Sequence, residues 1–307
     1  MKNLFKYAAE HWKTLIAIII VLFIQAYCDL SLPAYTSDIV NVGIQQGGVE
    51  EQVPEAISAD EMSRLLLFVP SEDQNTVLDA YEEDDSTYDV EAYVLKDDIS
   101  DEDISTLEDI LAYPMMMTAG FESGSDMTAQ IEEQLKASLP AEMVTDDMTV
   151  FDILQMMPAD QREAMLDAME EQMGDLPDTI LDQAAISYVG TAYENLGMDM
   201  DDIQIHYLLT TGGKMAGLAF LGMAASILVG FMASRVGAAT GRDLRGRVFH
   251  KVVGFSNNEF DHFSTASLIT RSTNDIQQIQ LIIVMLLRIV LYAPILAIGG
   301  IIQVFQT

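Results

Sequence analysis

The stretch 15-LIAIIIVLFIQAYCDLSLPAY-35 decides what kind of protein this is. As a helix rising about 1.5 Å per residue it spans roughly 31 Å, close to the hydrocarbon core of a bilayer. Nine of the ten residues from Leu15 to Ile24 are Leu, Ile, Val or Phe. At about −0.3 to −0.6 kcal/mol each they favour insertion by roughly 3–5 kcal/mol. Asp29 lies toward the far end of the run, where a charge costs less than at the centre. The basic start (Lys2, Lys6, Lys13) resembles a signal peptide. The run is long, however, and no clear small-x-small cleavage site follows it, so it reads as an uncleaved anchor.

Two further apolar runs share this character. Met215–Ser234 is rich in Gly, Ala, Leu and Met. Its small residues Gly217, Gly222, Ala225 and Gly230 suit close packing against other membrane helices. Leu281–Phe305 carries Arg288, which would cost about 2.5–3.5 kcal/mol at the bilayer centre. Arg288 therefore either snorkels to the interface or lines a wet cavity. Lys and Arg in the flanks orient the chain. Lys2, Lys6 and Lys13 precede the first run, and Arg235, Arg242, Arg245, Arg247, Lys251 and Arg271 follow the second. Both flanks are expected in the cytosol, which places residues of about 36–206 outside a cell membrane that the chain crosses several times.

The charge distribution agrees. The formal net charge is −33 over 307 residues, half of them hydrophobic, a combination that suits no single soluble globule. Residues 46–206 hold 41 of the 48 acidic residues and only four basic ones, Arg64, Lys96, Lys136 and Arg162. The sequence thus joins a basic apolar frame to an acidic insert. The expected fold is mainly α: a polytopic membrane protein with long helices extending into the cytosol, plus an inserted extracellular, mostly helical (α+β) domain. The divisions are 1–45 (cytosolic amino terminus and first membrane helix), 46–206 (acidic insert) and 207–307 (second and third membrane helices), with a cytosolic loop at 235–280. The single cysteine, Cys28, excludes an intrachain disulfide.

The cytosolic loop is too long for a simple turn. Leu244, Val248, Val252 and Phe255 recur at helical spacing, which predicts that the second membrane helix continues beyond the bilayer. Gly241, Gly246 and Gly254 weaken that helix, and Ser256, Asn257 and Asn258 break it. Periodicity resumes at Ile276, Ile279 and Ile283, with Ser272 or Asn274 as the predicted cap and Asp275 in the first turn. A helical hairpin with a small aromatic tip results.

The tip and its return, Asn258-Glu-Phe-Asp-His-Phe-Ser-Thr-Ala-Ser-Leu-Ile-Thr-Arg-Ser-Thr-Asn-Asp275, resemble the first intracellular loop of ABC exporters. The matching positions are Phe260, Asp261, Ser264, Thr265, Leu268, Arg271, Asn274 and Asp275, with Ala266 where many members carry Gly. Leu32-Pro33 and Thr36 through Ile44 are similar to the outer end of the first helix in bacterial multidrug-type members. The resemblance covers about 1–45 and 207–307. It implies that about Glu259–Leu268 form a coupling helix on an ATPase domain, with contacts from Glu259, Phe260, Asp261, His262, Phe263, Ser264, Thr265, Leu268 and Arg271. It also implies a dimer with a second exporter subunit, often a different one. No phosphate loop ending in Gly-Lys-Ser/Thr occurs, so no cofactor, catalytic or metal residue is expected here. ATP and Mg would belong to an ATPase domain outside these residues. The expectation is therefore the amino-terminal half of an exporter's transmembrane domain, a fragment or truncated reading frame that is no enzyme alone. The other reading is a membrane-anchored sensor or accessory protein that binds a ligand with its acidic ectodomain. Neither reading involves nucleic acid.

Within the insert, Ser58, Ser71 and Thr149 precede helix-like stretches, Pro158–Met173 reads as an amphipathic helix, and Thr87–Leu95 alternates like a strand. The acid clusters Asp97–Asp103 and Asp199–Asp202 lack calcium-loop spacing and read as solvated faces. Met115–Met117 reads as adaptable core filling in preference to a copper site. The acidity itself serves solubility or draws cationic peptides or drugs toward the transport path.

Overall fold

The computed structural model describes residues 11–84, 87–124, 126–138, 148–173, 176–256 and 264–305. The chain divides into two compact units, Met1–Asp38 with Thr210–Thr307, and Ile39–Leu209.

The first unit is built from long helices. Helix α1 (Trp12–Asp38) continues as a π-helical segment, Ile39–Gln45, which falls in the second unit. Pro33 lies inside α1 and lacks the N–H that would bond the carbonyl of Asp29. The last helices of the chain follow a similar plan. Short helix α10 (Thr265–Thr270), π-helical Arg271–Asp275, α11 (Ile276–Met285), π-helical Leu286–Val290 and α12 (Tyr292–Val304) follow one another with little interruption. Between these lies α9 (Met200–Val253), 54 residues long. Three helical spans, Trp12–Gln45, Met200–Val253 and Ala266–Val304, are long and apolar enough to cross a membrane. Helix α9 runs unbroken through Gly241 and Gly246 and stops at Gly254. The third span starts earlier than predicted: Ser264, and neither Ser272 nor Asn274, caps its first turn by accepting from the Ser267 N–H at 3.2 Å.

The second unit holds a three-stranded antiparallel sheet and a set of helices. The strands are β1 (Ala56–Ser58), β2 (Tyr81–Asp84) and β3 (Ala92–Leu95), in the order β1-β3-β2, with Ile57 opposite Tyr93 and Glu82 opposite Val94. Of the alternating stretch Thr87–Leu95, only the last four residues are strand. The helices are α2 (Ala59–Leu65), α3 (Gln74–Ala80), α4 (Asp101–Ser123), α5 (Asp126–Ser138), α6 (Val150–Met156), α7 (Ala159–Met173) and α8 (Asp178–Asn195). Ser58 caps α2 and Thr149 closes a reciprocal capping box with Asp152 on α6, which satisfies end amides that no helical carbonyl reaches. Ser71 is no cap; it sits in a turn, and α3 begins at Gln74 after Asp73.

Two apolar clusters stabilise this unit. One joins the sheet to α2, α4 and α8 through Ile57, Met62, Leu107, Leu111, Tyr188 and Val189. The other gathers Phe68, Phe121, Ile153, Leu154 and Leu166, with Phe68 stacked on Phe121 at 5.6 Å and edge-on to Phe151 at 6.0 Å. Met115 and Met117 are buried in these clusters, as flexible gap-fillers are. The predicted acid clusters act at helix starts. Asp101, Glu102 and Asp103 occupy the first turn of α4, and Asp199 Oδ1 accepts from the amides of Asp201 and Asp202 at the head of α9, where the helix dipole favours negative charge.

The chain's entry to and exit from this unit are held together. Gln204 Nε2 donates to the Gly43 carbonyl at 2.7 Å. Gly48 has φ 87°, and a Cβ there would lie 2.8 Å from the Gln204 Cα, so both the conformation and the approach require glycine.

Candidate translocation and coupling site

Within the membrane unit the side chains fix the direction of each helix. Gly222 on α9 packs against Cys28 on α1, where an added Cβ would lie 3.3 Å from the Cys28 Cβ. Earlier residues of α1, Ile18 and Leu22, share a buried cluster with later residues of α9, Val229, Ala233 and Val236. The two helices therefore run antiparallel. Gly237 and Gly241 meet Val284 and Gln280 of α11, again in opposite order. Leu30 of α1 lies against Gly299 of α12, and Gln303 Nε2 donates to the Leu30 carbonyl at 3.2 Å. Since Ile283 and Leu287 join Ile18 and Leu22 in the cluster, α1 and the last span run parallel. Up, down, up is the order a chain adopts when it crosses a layer three times.

Small residues enable these contacts, though only in part the ones expected. Gly222 and Ala225 are buried, whereas Gly217 and Gly230 have no atom within 4 Å of an added Cβ. Gly237 and Gly241, spaced four apart, also admit α11: an added Cβ would lie 3.2 Å from the Gln280 carbonyl oxygen at Gly237 and 3.0 Å from the Gln280 Oε1 at Gly241.

Beyond the apolar run, α9 carries its charges outward. Leu244, Val248, Val252 and Phe255 are half-buried on one side, and Arg235, Arg242, Arg245, Arg247 and Lys251 are exposed. Arg242 pairs with Asp243 at 2.9 Å, and Arg235 lies 5.8 Å from the Phe231 ring centre. Of the residues assigned to the coupling tip, Glu259, Phe260, Asp261, His262 and Phe263 lie outside the described residues. Ser264 is the cap of α10, Thr265 is its first residue, Leu268 is half-buried, and Arg271 is exposed in the π-helical turn. Arg288 is exposed in the second π-helical turn of the last span.

A polar contact that the sequence reading did not single out lies inside the helix group. The Tyr292 hydroxyl on α12 donates to Asp29 Oδ2 on α1. Gln25, one turn before Asp29, lies beside the same hydroxyl. Asp29 was visible as a charge in an apolar run. Tyr292 was not singled out, although a phenol in an apolar run is the signal that finds it.

Residues 178–307 match the family described as "ABC transporter transmembrane region". This part of the chain is similar to ABC transporter membrane regions. The match begins at the first residue of α8 and takes in α9 and the whole last span. Relatives carry the same family name. An uncharacterized ABC transporter ATP-binding protein of Mycobacterium tuberculosis is 38% identical over 96 residues, 31% of this chain and 16% of that protein. The uncharacterized ABC transporter ATP-binding protein YfiB of Bacillus subtilis is 43% identical over 91 residues, 30% of this chain and 16% of its own length. A putative ABC transporter ATP-binding protein of Mycoplasma genitalium is 33% identical over 90 residues, 29% of this chain and 14% of that protein. The alignments thus span about one sixth of these curated relatives. No solved structure matches the chain. The apolar spans and the match over residues 178–307 together support a membrane-embedded protein that is similar to ABC transporters over its last part.

Proposed function

We propose that this chain forms part of the substrate pathway of an ATP-driven ABC exporter and docks an ATPase domain through the tip of its 235–280 loop. In this reading the amino terminus and the loop lie in the cytosol, the acidic unit lies outside, and the protein works as a dimer with a second exporter subunit. ATP and Mg are handled by the ATPase domains.

The observation that carries the proposal is the continuity of α9. It leaves the apolar run at Ser234 and extends to Val253 without a break, about 28 Å of helix, with its basic residues exposed. The chain re-enters a helix at Ser264 and reaches the last span through π-helical turns. A helix shared between a membrane layer and a loop is a lever: tilting the membrane part displaces the tip as a rigid body. Phe260 and Phe263, by resemblance to the family, are the apolar knobs that a groove in an ATPase domain would hold.

The test is Phe260→Ala in the complete protein, reconstituted with its partner subunit. Insertion and basal ATP hydrolysis should persist while transport per ATP falls steeply, because the knob is lost and the lever is retained. Unchanged transport and unchanged substrate-stimulated hydrolysis would contradict the assignment.

A further inference from the structure

Glu61 on α2 is bonded to the place where the acidic unit turns into α9. Its Oε2 accepts from the Ser58 hydroxyl at 2.9 Å and its Oε1 from Asn195 Nδ2 at 2.6 Å. Asn195 is the last residue of α8, and α9 starts soon after it, at Met200. The corner between them is closely bonded. The amides of Leu196, Gly197 and Met198 donate to the carbonyls of Ala192, Glu194 and Tyr193, and Gly197 turns the chain at φ 78°. Leu196 packs on Ala56 and Ala92. The bond from Asn195 to Glu61 ties this corner to α2.

The tie suits a protonated carboxyl better than an ionised one. Glu61 is buried, and none of the ion pairs among the described residues includes it. The charged groups that share its cleft or act on it are Asp60 and Arg64 on α2, Glu91 ahead of β3 and Glu122 on α4. Arg64 is held by Asp60 at 2.6 Å and by Glu122 at 3.1 Å, so the field left at Glu61 is negative. Strands β1 and β3, which also pack on α2, carry no charged side chain. From α8 comes the buried Tyr188 phenol, which has no hydrogen-bond partner among the described residues. It stays neutral, since burial pushes its ionisation well above the ordinary range. A proton on Oε2 fits the existing bonds: the Ser58 hydroxyl oxygen can accept it, and Oε1 still accepts from Asn195. An ionised carboxylate in that place is relieved by water, which enters as the end of α8 withdraws from α2. Water has a path, because Glu61, Ser58 and Asn195 line an open cleft of about 590 Å³. We propose that Glu61 is a proton-operated latch: protonated, it closes the α8–α9 corner on α2, and ionised, it releases Asn195 and loosens the head of α9. The closed corner is fully stable below the ordinary carboxylate value and weakens as pH rises through the higher value of the closed form. That the medium sensed is the cell exterior rests on the export reading above; the latch does not.

The experiment is amide hydrogen exchange on the complete protein in nanodiscs, corrected for the intrinsic pH dependence of exchange. In the wild type, protection of Leu196, Gly197 and Met198 should fall about tenfold or more from the ordinary carboxylate range to mildly alkaline pH, since one pH unit of linked titration is a factor of ten. These amides should exchange faster than those of Leu107 and Leu111 in the core, which marks opening of the corner without unfolding of the unit. Glu61→Gln keeps the acceptor for Asn195 and mimics the protonated form, so its corner should stay protected at every pH. Infrared spectra of the unaltered protein should show a neutral carboxyl band that disappears over the same pH range as the protection, a readout that does not depend on the Gln variant folding. Protection of the wild-type corner that does not change with pH, exchange of the corner only at the rate of the core, or the same pH course in the Gln variant overturns the latch. A pH-responsive corner in a protein that does not export supports the latch and contradicts the export reading alone.

Discussion

Glu61 shows how a single residue in the acidic unit carries both structure and a pH dependence. It is the third residue of helix α2, 3% exposed, and both its oxygens are engaged: Ser58 donates to one at 2.9 Å and Asn195 to the other at 2.6 Å. It thereby ties β1 and α2 to the end of α8. Burial pushes its carboxyl above the ordinary carboxylate range, although the bonds from Asn195 and Ser58 pull the other way. A raised value means that the folded state favours the protonated form. The stability this gives is fully present below the ordinary carboxylate value and is lost as pH rises through the raised one. Glu61→Gln removes that loss, so the variant's melting temperature relative to wild type should climb over the pH range above the ordinary carboxylate value. A constant difference across that range would show that Glu61 keeps its ordinary value. The sequence announced the cap at this position, because Ser58 followed three residues later by Glu61 is a capping box pattern. It did not announce the burial, which depends on Asn195 arriving 134 residues later in the chain.

At the scale of elements, the apolar runs were legible and their edges were not. Three uninterrupted runs, with basic residues on one side of each crossing, identify membrane helices from composition alone. Where they end is a matter of local bonding that composition does not record. Helix α9 keeps going past Gly241 and Gly246, although each glycine costs a helix interior roughly 1 kcal/mol. Gly241 was read as a weakness; the structure gives it a contact, since it admits the Gln280 side chain while Gly237 admits the Gln280 carbonyl. That contact is testable. At Gly237 an added Cβ would lie 2.7 Å from Val284 Cγ2 and 3.2 Å from the Gln280 carbonyl oxygen, so Gly237→Val should destabilise the helix group by about 1–3 kcal/mol. Gly230→Val, at a position with open space, should be tolerated. Thermal unfolding of both variants in nanodiscs checks this, and equal stability would mean that α9 and α11 do not meet at Gly237.

For the whole molecule, the division of charge is the feature from which most else follows. The chain carries nearly all its acid in residues 46–206 and four exposed arginines, Arg235, Arg242, Arg245 and Arg247, beyond the second apolar run, so its charges are separated by segment. The fold agrees in its connectivity: residues 39–209 form a compact unit of their own, with entry and exit bonded to each other through Gln204 and Gly43. The three apolar spans alternate in direction. What the sequence could not reveal was the interior of the acidic unit, because its sheet pairs strands distant in sequence and its cores draw on α4, α6 and α8 together. It also could not reveal that α1 and α12 meet at Asp29 and Tyr292, since periodicity says which residues share a face and not which faces meet. The most direct measurement is labelling of single cysteines by a membrane-impermeant maleimide, in a Cys28→Ala background. Ser105→Cys, exposed on α4, should react in intact cells. His250→Cys, exposed near the end of α9, should react only after the membrane is permeabilised. Reaction of both positions from the same side would contradict the three-span topology on which the account stands.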